Sequence, residues 1–171
     1  MQDTMVDRER LLIRQANEAD LTELEWEGRY QHYRRLYRHA LAEAKRGRRV
    51  LLVADFEGRI VGQVFVQLTS GRAELADGKH SGYLYAFRVR PEFRNQGIGT
   101  QLLHEAEGVL RRQGFDRAVI AVARDNQRAM RLYQNMGYQQ FAKDPGEWSY
   151  LDHMGQMRYV SEPAYMLEKF L

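Results

Sequence analysis

The chain has 171 residues, 44% of them hydrophobic, which suits a single domain over residues 1–171 with a sizeable core and leaves little for a second. Its 26 basic and 23 acidic residues nearly balance at a formal charge of +3, so composition alone makes no case for a nucleic-acid partner. There is no cysteine, which excludes disulfides, cysteine-ligated zinc and a cysteine nucleophile together.

Residues 1–10 are charged and lack the apolar centre of a signal peptide, and no later run reaches the roughly 18 apolar residues of a membrane span. A soluble, cytoplasmic protein is expected, with no membrane partner. Residues 10–14 then read as a short strand. Asn17 looks like an N-cap with Asp20 three residues on, which predicts a helix through Leu21 and Leu24. A longer helix follows, since Tyr33, Tyr37, Ala40, Leu41 and Ala44 recur at helical spacing until Gly47. Residues 50–55 and 60–68 are β-rich runs joined by Phe56-Glu57-Gly58-Arg59, a hairpin composition, and residues 69–80 read as a loop.

Over residues 82–90, period-2 alternation predicts a strand with Tyr83, Tyr85, Phe87 and Val89 on one side, ended by Pro91. Ile98, Leu102, Leu103, Ala106, Val109 and Leu110 then predict a helix stopped by Gly114, and residues 116–123 return to strand. Asp125 is placed to cap a further helix carrying Ala129, Leu132, Tyr133 and Met136, ended by Gly137. Residues 148–151, 157–160 and 164–170 read as extended, with turn chemistry at 152–155. Interleaved strands and helices with an early hairpin predict an α/β fold with a mixed sheet flanked by helices.

Two segments carry chemistry. In the first, Val89-Arg90-Pro91-Glu92-Phe93-Arg94-Asn95-Gln96-Gly97-Ile98-Gly99-Thr100, a strand runs into a glycine loop that opens a helix. The first-turn N–H groups of such a helix lack intrahelical acceptors and, with the helix dipole, favour an anion such as phosphate. No Lys-Ser/Thr follows the glycines as in a P-loop, and the third glycine of a dinucleotide fingerprint is missing. In the second segment, Asn126, Ala129 and Tyr133 fall on one helical face. Core packing is the ordinary role of a tyrosine at such a position.

Together, a strand ending in VxP, RxxGxG opening a helix, and NxxAxxLYxxxGY after an intervening strand resemble the GCN5-related N-acetyltransferase (GNAT) superfamily, closely over the motif core, residues 60–138. The resemblance implies a central sheet splayed open beside strand 83–89, with the pantetheine arm of acetyl-CoA in the opening. It implies hydrogen bonds to that arm at Phe87 and Val89, and the pyrophosphate over Arg94, Asn95, Gln96, Gly97, Ile98, Gly99 and Thr100. It places Asn126, Ala129 and Tyr133 toward the pantetheine end and the sulfur, with Tyr133 as the general acid. The implied activity is acetyl transfer from acetyl-CoA to a primary amine of a small molecule or peptide, by direct attack in a ternary complex. A dimer through the C-terminal strands is a further expectation from the family.

Many members use a glutamate on the strand corresponding to residues 82–89 as general base, and this strand has no carboxylate. The base therefore stays unassigned among Tyr83, Tyr85, a water chain, bulk solvent and the C-terminal acids Glu147 and Asp152. His104 reads as a surface residue, and His32 and His39 lack the carboxylate that would complete a metal set, so no metal is assigned. The acceptor is expected between residues 24–37 and 143–163. There Trp26, Tyr30, Tyr33, Trp148 and Tyr150 could wall a pocket, while Glu25, Glu27, Glu147, Asp152 and Glu162 could attract an amine or simply be solvated. The competing readings are an acyl-CoA-binding sensor without turnover and a nucleic-acid module, the latter opposed by arginines interleaved with acids.

Overall fold

A computed structural model describes residues 5–171, so the part of the N-terminal reading that falls on residues 1–4 lies outside it. Nine strands and three α-helices follow one another as β1 (Leu11–Gln15), α1 (Arg34–Lys45), β2 (Arg49–Phe56), β3 (Arg59–Gln67), β4 (Ser81–Val89), α2 (Ile98–Arg112), β5 (Arg117–Ala123), α3 (Gln127–Asn135), β6 (Gln139–Asp144), β7 (Glu147–Leu151), β8 (Met157–Ser161) and β9 (Ala164–Phe170). Seven strands form one sheet in the order β1-β2-β3-β4-β5-β9-β6, and β7 and β8 pair as a separate hairpin. Among the described residues β4 and β5 are the one parallel pair, because α2 carries the chain between them.

Both faces of this sheet are covered, which is why β2 and β3 are apolar nearly throughout rather than alternating. On one face Leu102, Leu103, Ala106 and Leu110 of α2 pack on Val64, Val66, Leu84 and Ile120. On the other, Tyr37, Ala40 and Leu41 of α1 pack on Leu51, Val53 and Phe65. The β2–β3 turn places both Glu57 and Gly58 in the left-handed region, as the two-residue hairpin composition predicts.

Four expectations are corrected, three of them in single elements. No α-helix forms after Asn17; residues 18–33 make only 3₁₀ turns, at Glu18–Asp20, Glu23–Glu25 and Gln31–Tyr33. The capping box is real, with Asp20 accepting from the Asn17 N–H at 2.8 Å, but tertiary bonds claim the following turns. Arg14 binds Asp20 at 2.7 Å, Glu23 accepts from the Ile60 N–H, and Trp26, Glu27 and Gly28 all adopt positive φ, which no helix continues. The cap of α3 is Asn126 rather than Asp125, its Oδ1 accepting from the Ala129 N–H at 3.1 Å. Finally, β6 was not anticipated: its residues are mostly exposed, so it lacks a clear apolar period and exists by pairing with β9.

The correction with most consequence is in β4. Ala86 has a φ of 51°, and the register with β3 slips between the Phe65–Tyr85 and Gln63–Arg88 pairs, which is a β-bulge. One extra residue turns the alternation over. Tyr85 packs on the α1 side, whereas Phe87 and Val89 pack on the α2 side, so the four residues expected on one face are divided between two.

Candidate active site

The glycine loop presents backbone N–H groups at the start of α2. Asn95 and Gly97 have φ of 62° and 82°, and Gly97 is the N-cap of α2 with no side chain capping the helix. The first turn of α2 contains no acidic residue, and the first intrahelical bond runs from the Gln101 N–H to the Gly97 carbonyl. The N–H groups of Ile98, Gly99 and Thr100 thus precede the ladder and carry the positive end of the dipole. Basic groups surround them. Arg94 Nε donates to the Val89 carbonyl at 3.0 Å, and Arg128 donates to Asn95 Oδ1 at 3.2 Å. Arg8, which no sequence motif singles out, brings its guanidinium to 3.0 Å from where a Cβ on Gly97 would stand. A neighbouring bond from the Val6 N–H to Gln96 Oε1, 2.7 Å, anchors this N-terminal segment on the loop. Gly99 is required for a different reason: a Cβ there would lie 2.9 Å from the Phe87 ring.

The sheet opens beside β4. Pairing between β4 and β5 ends at Leu84 and Ile120, although both strands continue. The Arg90 N–H donates to Val61 on β3, so backbone alternation turns the N–H groups of Phe87 and Val89 away from β3, into the gap. Tyr133 on α3 packs in the core beside β4, only 5% exposed, with its ring 6.1 Å from Phe87 and 6.2 Å from Tyr138. Burial, and secondarily the neighbouring Tyr83, push its phenol well above the ordinary value near 10. It therefore holds its proton at neutral pH.

On the α1 side, the gap continues into a cleft of about 540 Å³. Its walls include Tyr33, Tyr37, Tyr83, Tyr85 and Trp148, with Arg49, Arg72 and Arg88 facing Asp144, Glu147 and Glu162. Burial pushes Tyr83 up to about 12 and raises Tyr85 against the lowering effect of Arg49. Neither phenol is ionised near neutrality, so neither serves as a base there. Asp152 is also removed from the set of bases. Fully buried, it accepts from the N–H groups of Met154 and Gln156 and from Arg158, each at 2.9 Å. The Gln156 N–H foremost, with Arg158 and the Met154 N–H, holds its carboxyl down to about 2.

Residues 15–138 match the acetyltransferase (GNAT) family. The chain belongs to this family of acetyl-CoA-dependent N-acetyltransferases. The GNAT fold recurs in solved structures. A GNAT-family acetyltransferase from Streptococcus pneumoniae is 22% identical with a TM-score of 0.66, over 94% of this chain and 99% of that one. Ard1 from Thermoplasma volcanium is 19% identical with a TM-score of 0.73, over 95% and 98%. Arabidopsis thaliana NAA60, in complex with acetyl-CoA, is 20% identical with a TM-score of 0.70, over 94% and 98%.

Of the residues expected around the cofactor in this GNAT chain, the Arg94-to-Thr100 loop leads into the N-terminus of α2, the N–H groups of Phe87 and Val89 face the gap beside β4, and the Tyr133 ring lies 6.1 Å from that of Phe87. Asn126 and Ala129 form the first turn of the helix that carries Tyr133. The expected acceptor wall converges only in part. Tyr33, Trp148, Glu147 and Glu162 line the cleft. Trp26 is instead buried under Arg90 and Tyr30, Glu25 is bound to Arg34 at 2.8 Å, and Glu27 to Arg90 at 2.9 Å. Tyr150 is also buried, against Tyr33 and Trp148. The cleft residues the sequence did not signal are Arg49, Arg72 and Arg88, because their shared location depends on the bulge and on long-range pairing.

Proposed function

We propose that this chain transfers an acetyl group from acetyl-CoA to a primary amine by direct attack in a ternary complex. The observation that carries this reading is an uncapped, acid-free helix N-terminus that follows a strand whose last N–H groups lie beyond the end of β4–β5 pairing, with a protonated, buried Tyr133 packed beside Phe87 of that strand. An elongated ligand with a diphosphate at one end and a thioester at the other matches that sequence of groups. The acetyl-CoA held by the Arabidopsis relative supports the choice of ligand.

In this reading the N–H groups of Ile98, Gly99 and Thr100 bind the pyrophosphate, with Arg94, Asn95, Gln96 and Gly97 shaping the loop, and the Phe87 and Val89 N–H groups hold the pantetheine arm. Bound acetyl-CoA supplies the activated carbonyl. The acceptor nitrogen forms the new C–N bond as the C–S bond breaks, and Tyr133 gives its hydroxyl proton to the departing sulfur. The low dielectric that raises Tyr133 raises a thiol formed beside it as well, so burial does not by itself widen the ordinary gap between phenol and thiol, and the Tyr133 phenolate recovers a proton through water as the amine loses one. The surplus amine proton leaves through water, with Glu147 and Glu162 the carboxylates lining the cleft that are not tied to an arginine.

Calorimetric titration with acetyl-CoA, followed by thiol release over a panel of primary amines, tests the proposal. Micromolar binding and turnover of at least one amine is expected. Absence of acetyl-CoA binding defeats the reading, and tight binding with no transfer to any amine replaces it with the sensor alternative.

A further inference from the structure

The acceptor cleft carries a charge arrangement that composition hides. Arg72 is neutralised by Asp144 at 2.6 Å and Glu74 at 2.8 Å. Arg88 and Arg49, by contrast, are in no ion pair among the described residues. Arg88 donates to the Tyr37 hydroxyl at 2.9 Å and lies 4.1 Å from the Tyr30 ring centroid and 5.5 Å from that of Tyr33. Arg49 donates to the Tyr85 hydroxyl at 2.6 Å, with its guanidinium 5.7 Å from that ring. Aromatic faces and neutral hydroxyls hold both side chains in place without cancelling their charge, and each guanidinium keeps further donors for a ligand. Both are partly buried, where an uncompensated cation is costly unless something negative arrives.

On another part of the wall stand Glu147 and Glu162. The Glu162 N–H donates to the Gly146 carbonyl at 3.0 Å, and Gly146 packs so closely on the Glu162 carbonyl that a Cβ there would overlap it. This pinch at the base of the β7–β8 hairpin fixes the two acids as a pair of neighbours. Tyr33 lies near enough to both Arg88 and Glu162 to feel their opposite charges.

We infer that the acceptor is a small primary amine bearing its own anionic group, a carboxylate or phosphate, which Arg88 and Arg49 bind while Glu147 and Glu162 draw the amine. The inference rests on the acetyltransferase reading of this cleft. A guanidinium fork matches either anion. A polyamine, offering only positive charge, would have to lie beside both arginines and is disfavoured.

The test uses a series of ω-amino acids of increasing length, each against its carboxamide, in which the amine's basicity is little altered. Phosphoethanolamine against ethanolamine forms the phosphate arm. Wild-type kcat/KM is expected to favour the anionic member of one arm by about tenfold or more, and the favoured arm identifies the anion. Arg88→Gln and Arg49→Gln should each lower that ratio about tenfold, and Arg88→Lys should restore part of it. A ratio near one in the wild type, or one unchanged in both glutamine variants, overturns the inference. Occupancy is read independently of turnover by titrating the same compounds against Trp148 fluorescence in the presence of CoA. If no amine is acetylated, the acetyltransferase reading fails. The anion site then stands only if anion-dependent quenching appears and is lost in Arg88→Gln, and falls otherwise.

Discussion

The two sides of β4 are constructed in opposite ways. Toward α2 the site is a matter of backbone: left-handed Asn95 and Gly97, an uncapped helix and strand N–H groups, all within about a dozen consecutive residues. Toward α1 it is a matter of side chains from β2, β4, α1, the 3₁₀ turns and the β7–β8 hairpin, brought together only by the fold. The bulge at Ala86 separates them by sending Phe87 and Val89 one way and Tyr85 and Arg88 the other. A backbone site tolerates varied side chains but not a change of φ, whereas a side-chain site is retuned by single substitutions.

Substitutions on the two sides should therefore fail differently. Gly97→Val, on the backbone side, should abolish stabilisation by acetyl-CoA in a thermal-shift titration, since a β-branched residue resists a φ of 82°. Undiminished stabilisation would remove the assigned cofactor loop. Tyr133→Phe, beside Phe87, should cut turnover roughly 10²-fold while leaving acetyl-CoA affinity within a few-fold. Equal turnover in the variant would leave Tyr133 as core packing.

On the side-chain side, raised phenols at Tyr83 and Tyr85 and a sequestered Asp152 leave solvent or a water chain, or else Glu147 or Glu162, to take the proton of an amine, and we propose the solvent route. The kcat/KM should then rise with pH up to the amine's own pKa, and the inflection should move when the amine is changed. Glu147→Gln and Glu162→Gln should each cost less than about tenfold. An inflection that ignores the amine and disappears in one variant would instead identify that glutamate as the base. Arg8→Ala should weaken acetyl-CoA binding only a few-fold by calorimetry, because its guanidinium is one of several cations near the loop.

The smallest effect concerns the hairpin and is one of stability. Asp152 has a lowered folded-state pKa, so its contribution is present above the unfolded value and is lost as pH falls. Acid unfolding of the wild type should show this loss between about pH 4 and pH 2, and Asp152→Asn should be less stable at neutrality with a flatter acid limb. Identical limbs would mean that the loop bonds persist without the charge.

The glycine loop and the start of α3 were legible in the sequence because their determinants are local: a glycine that permits positive φ, a helix start without a cap and a helical period that brings Ala129 and Tyr133 to one face. Helices α1 to α3 and the β2–β3 hairpin were legible for the same reason. The turns of residues 18–33 were not, since bonds from Arg14 and Ile60 outweigh a correct capping signal. Nor was β6, whose pairing with β9 compensates for its weak period. By itself the sequence determined the family and the mixed α/β architecture, both encoded in motifs and periods at short range. Only the tertiary structure decided which face each β4 side chain takes and which arginines line the cleft on the α1 side. A single inserted residue reverses alternation, and electrostatic pairing depends on distances between segments far apart in the chain.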